Sequence, residues 1–302
     1  MLPDELERVA DRHVPGAGKV GIHRLSHGVV NDTYRVLRGG TAYAMRVATS
    51  NSCDSGPDRA WEARVLECAV TADLAPVMEY CDPQRGILIS RWALGRLWNP
   101  AEVRRRAGIS RMAELLRRIH ALPMPAPARL MNPKKWIDYY SAAACKNAGR
   151  DSDTAAALRT AAIKHLAALA ALRSVDPVIC HSDLHALNLI DRGDALLLLD
   201  WEYAHAADPF WDLAGWSANN DFGDELQHDL LVTYNGRPPT PSEQLRLNLL
   251  VWLYDYVCLL WCELYLKPYA GPRPGDAAQD GAAARGRQLA ARLIETASSR
   301  AD

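Results

Sequence analysis

Phenylalanine is nearly absent: the 302-residue chain has two, against nine Trp and eleven Tyr. Its aromatic content therefore lies in amphipathic rings, which suit pockets as well as cores. No C-x-x-C pair occurs among the seven cysteines, Cys53, Cys68, Cys81, Cys145, Cys180, Cys258 and Cys262. An odd count without paired spacing excludes a disulfide framework and a zinc ribbon, and reads as reduced thiols serving as small apolar side chains. Charge of one sign is not in excess, since 35 basic and 36 acidic side chains leave a net charge of −1. Phosphate-backbone binding relies on a clustered basic surplus, so no nucleic-acid partner is expected. The opening stretch MLPDELERVADRHV is acidic and helix-like, with no apolar run of the signal-peptide kind, and a cytoplasmic location is expected. One long apolar segment does occur, LNLLVWLYDYVCLLWCELYL at 247–266. Asn248, Asp255 and Glu263 would be costly in lipid, so the expectation is a buried helix and no membrane partner.

What is present is an ordinary globular composition, 49% hydrophobic and 24% charged. The length suits two domains and allows most of the unfolded surface to be buried. No internal repeat is visible. KVGIHRL, TYRVLR and TAYAMRVA read as successive strands, the last two joined by a Gly39-Gly40 turn. Trp61 to Ala72 has helical spacing, and PVMEYC and GILISRW read as two further strands around the turn DPQRG. After Leu94-Gly95 the pattern becomes helical. AEVRRRAGISRMAELLRRIHAL reads as one helix with Val103, Ile109, Met112, Leu115, Leu116 and Ile119 on a stripe and its arginines on a solvated face. A Pro-rich loop and two Ala-rich helical stretches lead to Leu172; VDPVIC and ALLLLD return to strand character, and helices resume after Asp212. The expected fold class is α+β, bilobal, with a small β-rich lobe at 1–92 and a larger helical lobe at 93–302.

The densest chemical signal is VICHSDLHALNLIDRGDALLLLDWEYAHAADPFWDLAG, residues 178–215. His181, Asp183 and Asn188 form H-x-D-x-x-x-x-N, and a strand of four leucines ends in Asp200. Phosphoryl transfer from ATP asks little of a protein: one carboxylate to orient the attacking hydroxyl and accept its proton, and oxygen ligands for the magnesium that bridges the phosphates. Asp183, Asn188 and Asp200 supply that set in the order of a kinase catalytic loop and its metal-binding aspartate. Magnesium prefers hard oxygen donors and keeps waters, so two protein ligands suffice. A zinc-hydrolase reading of His181, Asp183 and His185 leaves Asn188 and Asp200 unexplained and does not fit the remaining histidines.

This segment resembles the aminoglycoside phosphotransferase and choline kinase superfamily, small-molecule relatives of protein kinases. LLDWEYAHAADPFWDLA is most similar to its choline, ethanolamine and thiamine kinase branch. The resemblance implies a protein-kinase-like fold, with Asp183 as catalytic base, Asn188 and Asp200 on Mg2+, and Asp208 and Asp212 bracing the loop. It places Glu202 near the metal or substrate. SHGVVNDTYRV corresponds to the nucleotide loop, with Gly28 and Asn31 as its matching residues. Arg46 stands where protein kinases carry a phosphate-binding lysine, paired with Glu62; a guanidinium keeps its charge and forks toward phosphate oxygens. GILISRWALG corresponds to the inter-lobe hinge, where the main chain from Ile89 to Trp92, Arg91 included, would face an adenine. His120 lies on a helix similar to one of the family and is read as structural.

The acceptor is less legible. A choline-like or thiamine-like alcohol carries a fixed positive charge, held by aromatic faces and carboxylates. Trp252, Asp255, Trp261 and Glu263 on the aromatic helix are the candidates, and a core role for that helix stays open beside the pocket role. The family's W-x-x-W pair is incomplete here, because Leu264 follows Trp261 at that spacing. The expected function is an ATP- and Mg2+-dependent kinase of a small cationic alcohol, with nucleotide and alcohol as its partners. The alternatives are an aminoglycoside-type kinase, for which Asp221, Asp224 and Glu225 could serve, and a non-catalytic nucleotide-binding protein on the same scaffold. The oligomeric state is left open.

Overall fold

The computed structural model describes residues 3–27, 30–49, 56–145, 153–265 and 277–298. They fall into two compact units: Met1–Asn99 with Leu122–Pro127 and Ala186–Ala204, and Pro100–Ala121 with Ala128–His185 and His205–Asp302.

The first unit is built on β1 (Gly21–His27), β2 (Asn31–Arg38), β3 (Thr41–Ala48), β4 (Met78–Asp82) and β5 (Ile87–Arg91), an antiparallel sheet in the order β1-β2-β3-β5-β4. Alternation along β3 decides what each face does. Tyr43, Met45 and Val47 are buried against the amphipathic helix α1 (Pro3–His13), whose Leu6, Val9 and Ala10 complete one core. Arg46, at the intervening position, belongs to the opposite face, where it meets Glu62 of α2 (Arg59–Thr71). Asp58 caps α2 by accepting from the Trp61 N–H at 3.0 Å. The β2–β3 turn requires positive φ at both positions, and Gly39 and Gly40 supply +55° and +80°.

The same unit takes in a smaller sheet of β6 (Arg96–Leu97), β8 (Leu189–Asp191) and β9 (Leu196–Leu198), ordered β6-β8-β9. Main-chain bonds from Trp98 to the Leu189 carbonyl (2.9 Å) and from Leu198 to the Leu74 carbonyl (2.8 Å) tie it to the segment after α2. Gly95 permits the approach, because a Cβ there would lie 2.6 Å from the Asp191 carbonyl oxygen.

The second unit is mostly helical: α3 (Pro100–Val103), α4 (Arg106–His120), α5 (Pro133–Cys145), α6 (Asp153–Ala170), α7 (Phe210–Asn219), α8 (Asp224–Asn235), α9 (Pro241–Tyr265) and α10 (Ala277–Ser298). Its two short strands, β7 (Val178–Cys180) and β10 (His205–Ala207), pair antiparallel. The single helix expected over 101–122 is two, α3 and α4. The main chain closes on itself there: a Cβ on Gly108 would meet the Glu102 carbonyl oxygen at 2.1 Å, an approach only glycine allows. The expected apolar stripe is nevertheless buried from Val103 to Ile119. α9 packs against α5, α6, α7 and α10. By length and composition its Pro241–Leu264 stretch could cross a bilayer, and 72% of its most apolar window is buried within protein.

Candidate active site

In the first unit a charged network assembles from four elements. Arg46 of β3 forks between Glu62 of α2 and Asp200, which follows β9. Arg59, on α2 one turn before Glu62, donates to Glu62 Oε2 at 3.0 Å, to Glu202 Oε2 at 2.8 Å and to Asn31 Oδ1 at 2.7 Å. Asn31 Nδ2 in turn donates to Glu202 Oε2 at 2.6 Å. Thus Asn31, Arg46, Glu62, Asp200 and Glu202, singled out in the sequence, do come together here. Arg59 was missed; its signal was the i,i+3 spacing to Glu62 on a helical face.

Three carboxylates face two guanidiniums, and that imbalance sets the electrostatics. Burial opposes the charge on Arg46, but Glu62, Asp200 and Glu202 together raise its pKa well above the ordinary arginine value. Burial, reinforced by Asp200, pushes the Glu202 carboxyl up to about 7 against the pull of Arg46 and Arg59. Asp200 is set apart by its backbone, which adopts left-handed φ 58°, and its side chain is 35% exposed. A non-glycine residue held in that region of φ commonly marks a functional constraint.

Asn188 closes a one-turn 3₁₀ segment before β8, and its carbonyl accepts from the Leu199 N–H at 2.8 Å. The β8–β9 pairing of Leu189 with Leu198 thereby brings residue 188 beside the chain entering Asp200. An amide oxygen and a part-exposed carboxylate, both hard donors, next to an uncompensated negative charge, form a donor set suited to Mg2+. Ile89 and Arg91 lie inside the sheet: Ile89 is fully buried between partners Met45 and Tyr80, and the Arg91 N–H donates to the Val77 carbonyl at 2.8 Å. Gly28 lies outside the described residues.

Asp183 belongs to the second unit, on the loop that leaves β7. Asp212, buried on α7, accepts from the main-chain N–H of His181 (2.9 Å) and Ser182 (2.7 Å) and lies 3.3 Å from His120 Nε2. His120 Nδ1 lies 2.7 Å from the Tyr234 hydroxyl. Burial pushes the other way, yet His120 and the main-chain donors hold the Asp212 carboxyl below its ordinary value. Ser182 adopts φ 71°, with its carbonyl accepting from Tyr254 Oη at 3.3 Å and its hydroxyl 3.0 Å from His205 Nδ1. The Asp183 side chain emerges 31% exposed, its carboxylate 3.5 Å from His185 Nε2. Asp208 accepts from Phe210 N–H at 2.9 Å and pairs with Arg246 of α9.

The aromatic helix divides. Trp252 is buried, stacked on His165 (centroids 4.3 Å apart) and on Tyr256 (5.5 Å). Asp255 is buried and paired with Arg292 of α10; both line a cavity of about 280 Å³ together with Trp252. Trp261 is half-buried and Glu263 exposed near the end of α9.

The chain belongs to the phosphotransferase enzyme family, whose sequence model matches residues 21–243. Its fold is kinase-like: it is similar to a choline/ethanolamine kinase family protein from Mesorhizobium loti, 26% identical with a TM-score of 0.71, over 98% of this chain and 99% of that one. It is also similar to choline kinase LicA from Streptococcus pneumoniae, at 20% identity and TM-score 0.78 over 98% of each chain. A spectinomycin phosphotransferase in complex with ADP and spectinomycin aligns at 11% identity and TM-score 0.64, over 97% of this chain and 98% of that one. No curated protein matches the sequence.

Proposed function

We propose that this protein is an ATP-dependent kinase that phosphorylates the hydroxyl of a small cationic alcohol of choline, ethanolamine or thiamine type. The observation that carries the reading is that one chain holds both halves of a phosphoryl-transfer apparatus, one in each unit. The first unit holds Asn188 and Asp200 beside an Arg46–Glu62 pair. The second holds Asp183 on a loop pinned by Asp212.

In this reading Arg46 orients phosphate oxygens while Glu62 keeps its guanidinium fixed, and Asn31 belongs to the nucleotide side. Asn188 and Asp200 hold Mg2+, which when bound neutralises charge on the phosphates. Asp183 orients the acceptor hydroxyl and takes its proton; the two main-chain bonds to Asp212 hold that loop in place before substrate arrives, which is where the rate advantage of positioning originates. The main-chain N–H groups of Arg91 and Trp92 are engaged with the Val77 and Ala42 carbonyls, so the base is met by the main chain beyond Trp92. Trp261 and Glu263 supply the ring face and carboxylate for the acceptor's positive charge. The cytoplasmic location belongs to the same proposal.

The test is ADP release with Mg-ATP and choline, ethanolamine or thiamine as acceptor, comparing wild type with Asp183→Ala. Turnover is expected to fall by about 10²–10⁴-fold while nucleotide affinity is kept. Wild-type turnover in the variant, or no acceptor-dependent ADP release from the wild type, overturns the reading.

A further inference from the structure

The cavity between α7, α8, α9 and α10 is lined by acidic side chains gathered around one of the protein's own guanidiniums. Three carboxylates line it, Asp221, Asp224 and Asp255, and one cation does, Arg292. Arg292 bridges Asp221 and Asp255, one guanidinium nitrogen to each, and the first of these also reaches the Ala218 carbonyl at 3.4 Å. Asp221 holds its half of the bridge from φ 50°, a left-handed conformation that aspartate adopts only at a cost.

The site is short of partners beyond its charge. Ser217 Oγ, Gln227 Oε1 and Trp252 Nε1 belong to lining residues that are more than nine-tenths buried, and these atoms have no hydrogen-bond partner among the described residues. Arg292 Nε is likewise without one. Withdrawn polar groups of this kind are costly unless satisfied, so they stand ready to partner a ligand bearing hydroxyls and amines once the carboxylates are released from Arg292. Burial raises the Asp255 carboxyl to about 6 despite the paired Arg292 and the further pull of Arg285. Tyr254, next to Asp255 on α9, is engaged elsewhere: its ring packs so tightly on α7 that a Cβ on Gly215 would lie 2.8 Å away, and its hydroxyl reaches the Ser182 carbonyl.

We propose that Arg292 is a specificity-determining residue: an internal cation that occupies the carboxylate pair Asp221–Asp255 and so denies this pair to amino alcohols with two ammonium groups. Removing it leaves two uncompensated carboxylates beside the cavity, which recruit such a ligand. Because the claim concerns binding alone, it stands or falls separately from the kinase reading.

The probe is 1,3-diaminopropan-2-ol, measured by calorimetry and by thermal shift on the full chain. Wild type is expected to show no saturable binding. Arg292→Met is expected to bind at least about tenfold more tightly, with affinity that falls as salt rises. Should the variant be too unstable for calorimetry, the diamine is expected to raise its Tm, as any ligand of the folded state does. The double variant Arg292→Met/Asp255→Asn is expected to return to wild-type weakness. Equal affinity in wild type and Arg292→Met, no rise in Tm for that variant, or equal affinity in the single and double variants overturns the proposal.

Discussion

At the scale of single residues, the molecule is organised around buried carboxylates that outnumber their cationic partners. Arg59 shows the consequence. It touches Glu62, Glu202 and Asn31, and the side chains of Arg59 and both glutamates are largely withdrawn from solvent. Breaking a buried pair by removing one partner is more damaging than the net worth of the pair, because the desolvated charge stays behind. Arg59→Met is therefore expected to destabilise the protein by about 3 kcal/mol in urea denaturation, and Arg59→Gln, which keeps donors but no charge, by less. The spacing of Arg46 and Glu62 on a strand and a following helix was visible in the sequence. Arg59 was not singled out, because an arginine three residues before a glutamate on a helix is ordinary until a second carboxylate, from a segment about 140 residues later, proves to share it.

At the scale of the element, α9 illustrates how a long apolar helix is started. Thr240 and Glu243 form a reciprocal capping box: the Thr240 N–H donates to Glu243 Oε2 at 2.7 Å and the Glu243 N–H to Thr240 Oγ1 at 3.2 Å, with Pro241 at the first helical position. Arg237 donates to both Glu243 oxygens, at 2.7 and 3.0 Å. That contact, with the cap bonds, lowers the Glu243 carboxyl to about 2 from 4.5. A carboxylate whose folded-state pKa is depressed contributes stability above its unfolded pKa, and loses it as pH falls through the folded value. Glu243→Gln is thus expected to cost under about 1 kcal/mol at neutral pH, since Arg237 is half exposed, and nothing below pH 2. Thr240→Ala is expected to cost about 1 kcal/mol at either pH. Denaturant midpoints at pH 7 and pH 2 check both. The same scale explains the split of α3 from α4. Periodicity over 101–122 is continuous, and only a close contact of Gly108 with Glu102 reveals that the chain breaks there.

At the scale of the whole molecule, the thiols behave as the composition implied. Cys68, Cys81, Cys180, Cys258 and Cys262 are free, and burial raises all five above the ordinary thiol value, Cys180 and Cys258 most strongly. Since the thiolate is the reactive form, the fully buried Cys180 is expected to resist Ellman's reagent at pH 8 until the protein is unfolded in guanidinium. Rapid labelling of Cys180 in the native state would show that the interior opens far more readily than its burial suggests; Cys53 and Cys145 lie outside the described side chains.

The strands of the first sheet, the helical character of the remainder and the H-x-D-x-x-x-x-N segment with Asp200 could all be read from the chain, because alternation, 3.6-residue periodicity and a short polar motif are local patterns. Which compact unit each part joins could not. Asn188, Asp200 and Glu202 lie in what reads as the helical half of the sequence, yet they build into the first unit. Main-chain bonds of β8 and β9 to Trp98 and Leu74 draw them there, between partners about 90 to 125 residues apart. The fate of the aromatic helix was likewise open in sequence. Stacking on His165 and Tyr256 makes Trp252 packing, and Arg292 on the last helix makes Asp255 half of an ion pair. Residue type and spacing specify what a side chain is able to do; only the tertiary contacts decide which partner it does it with, since each of those partners comes from a remote part of the chain.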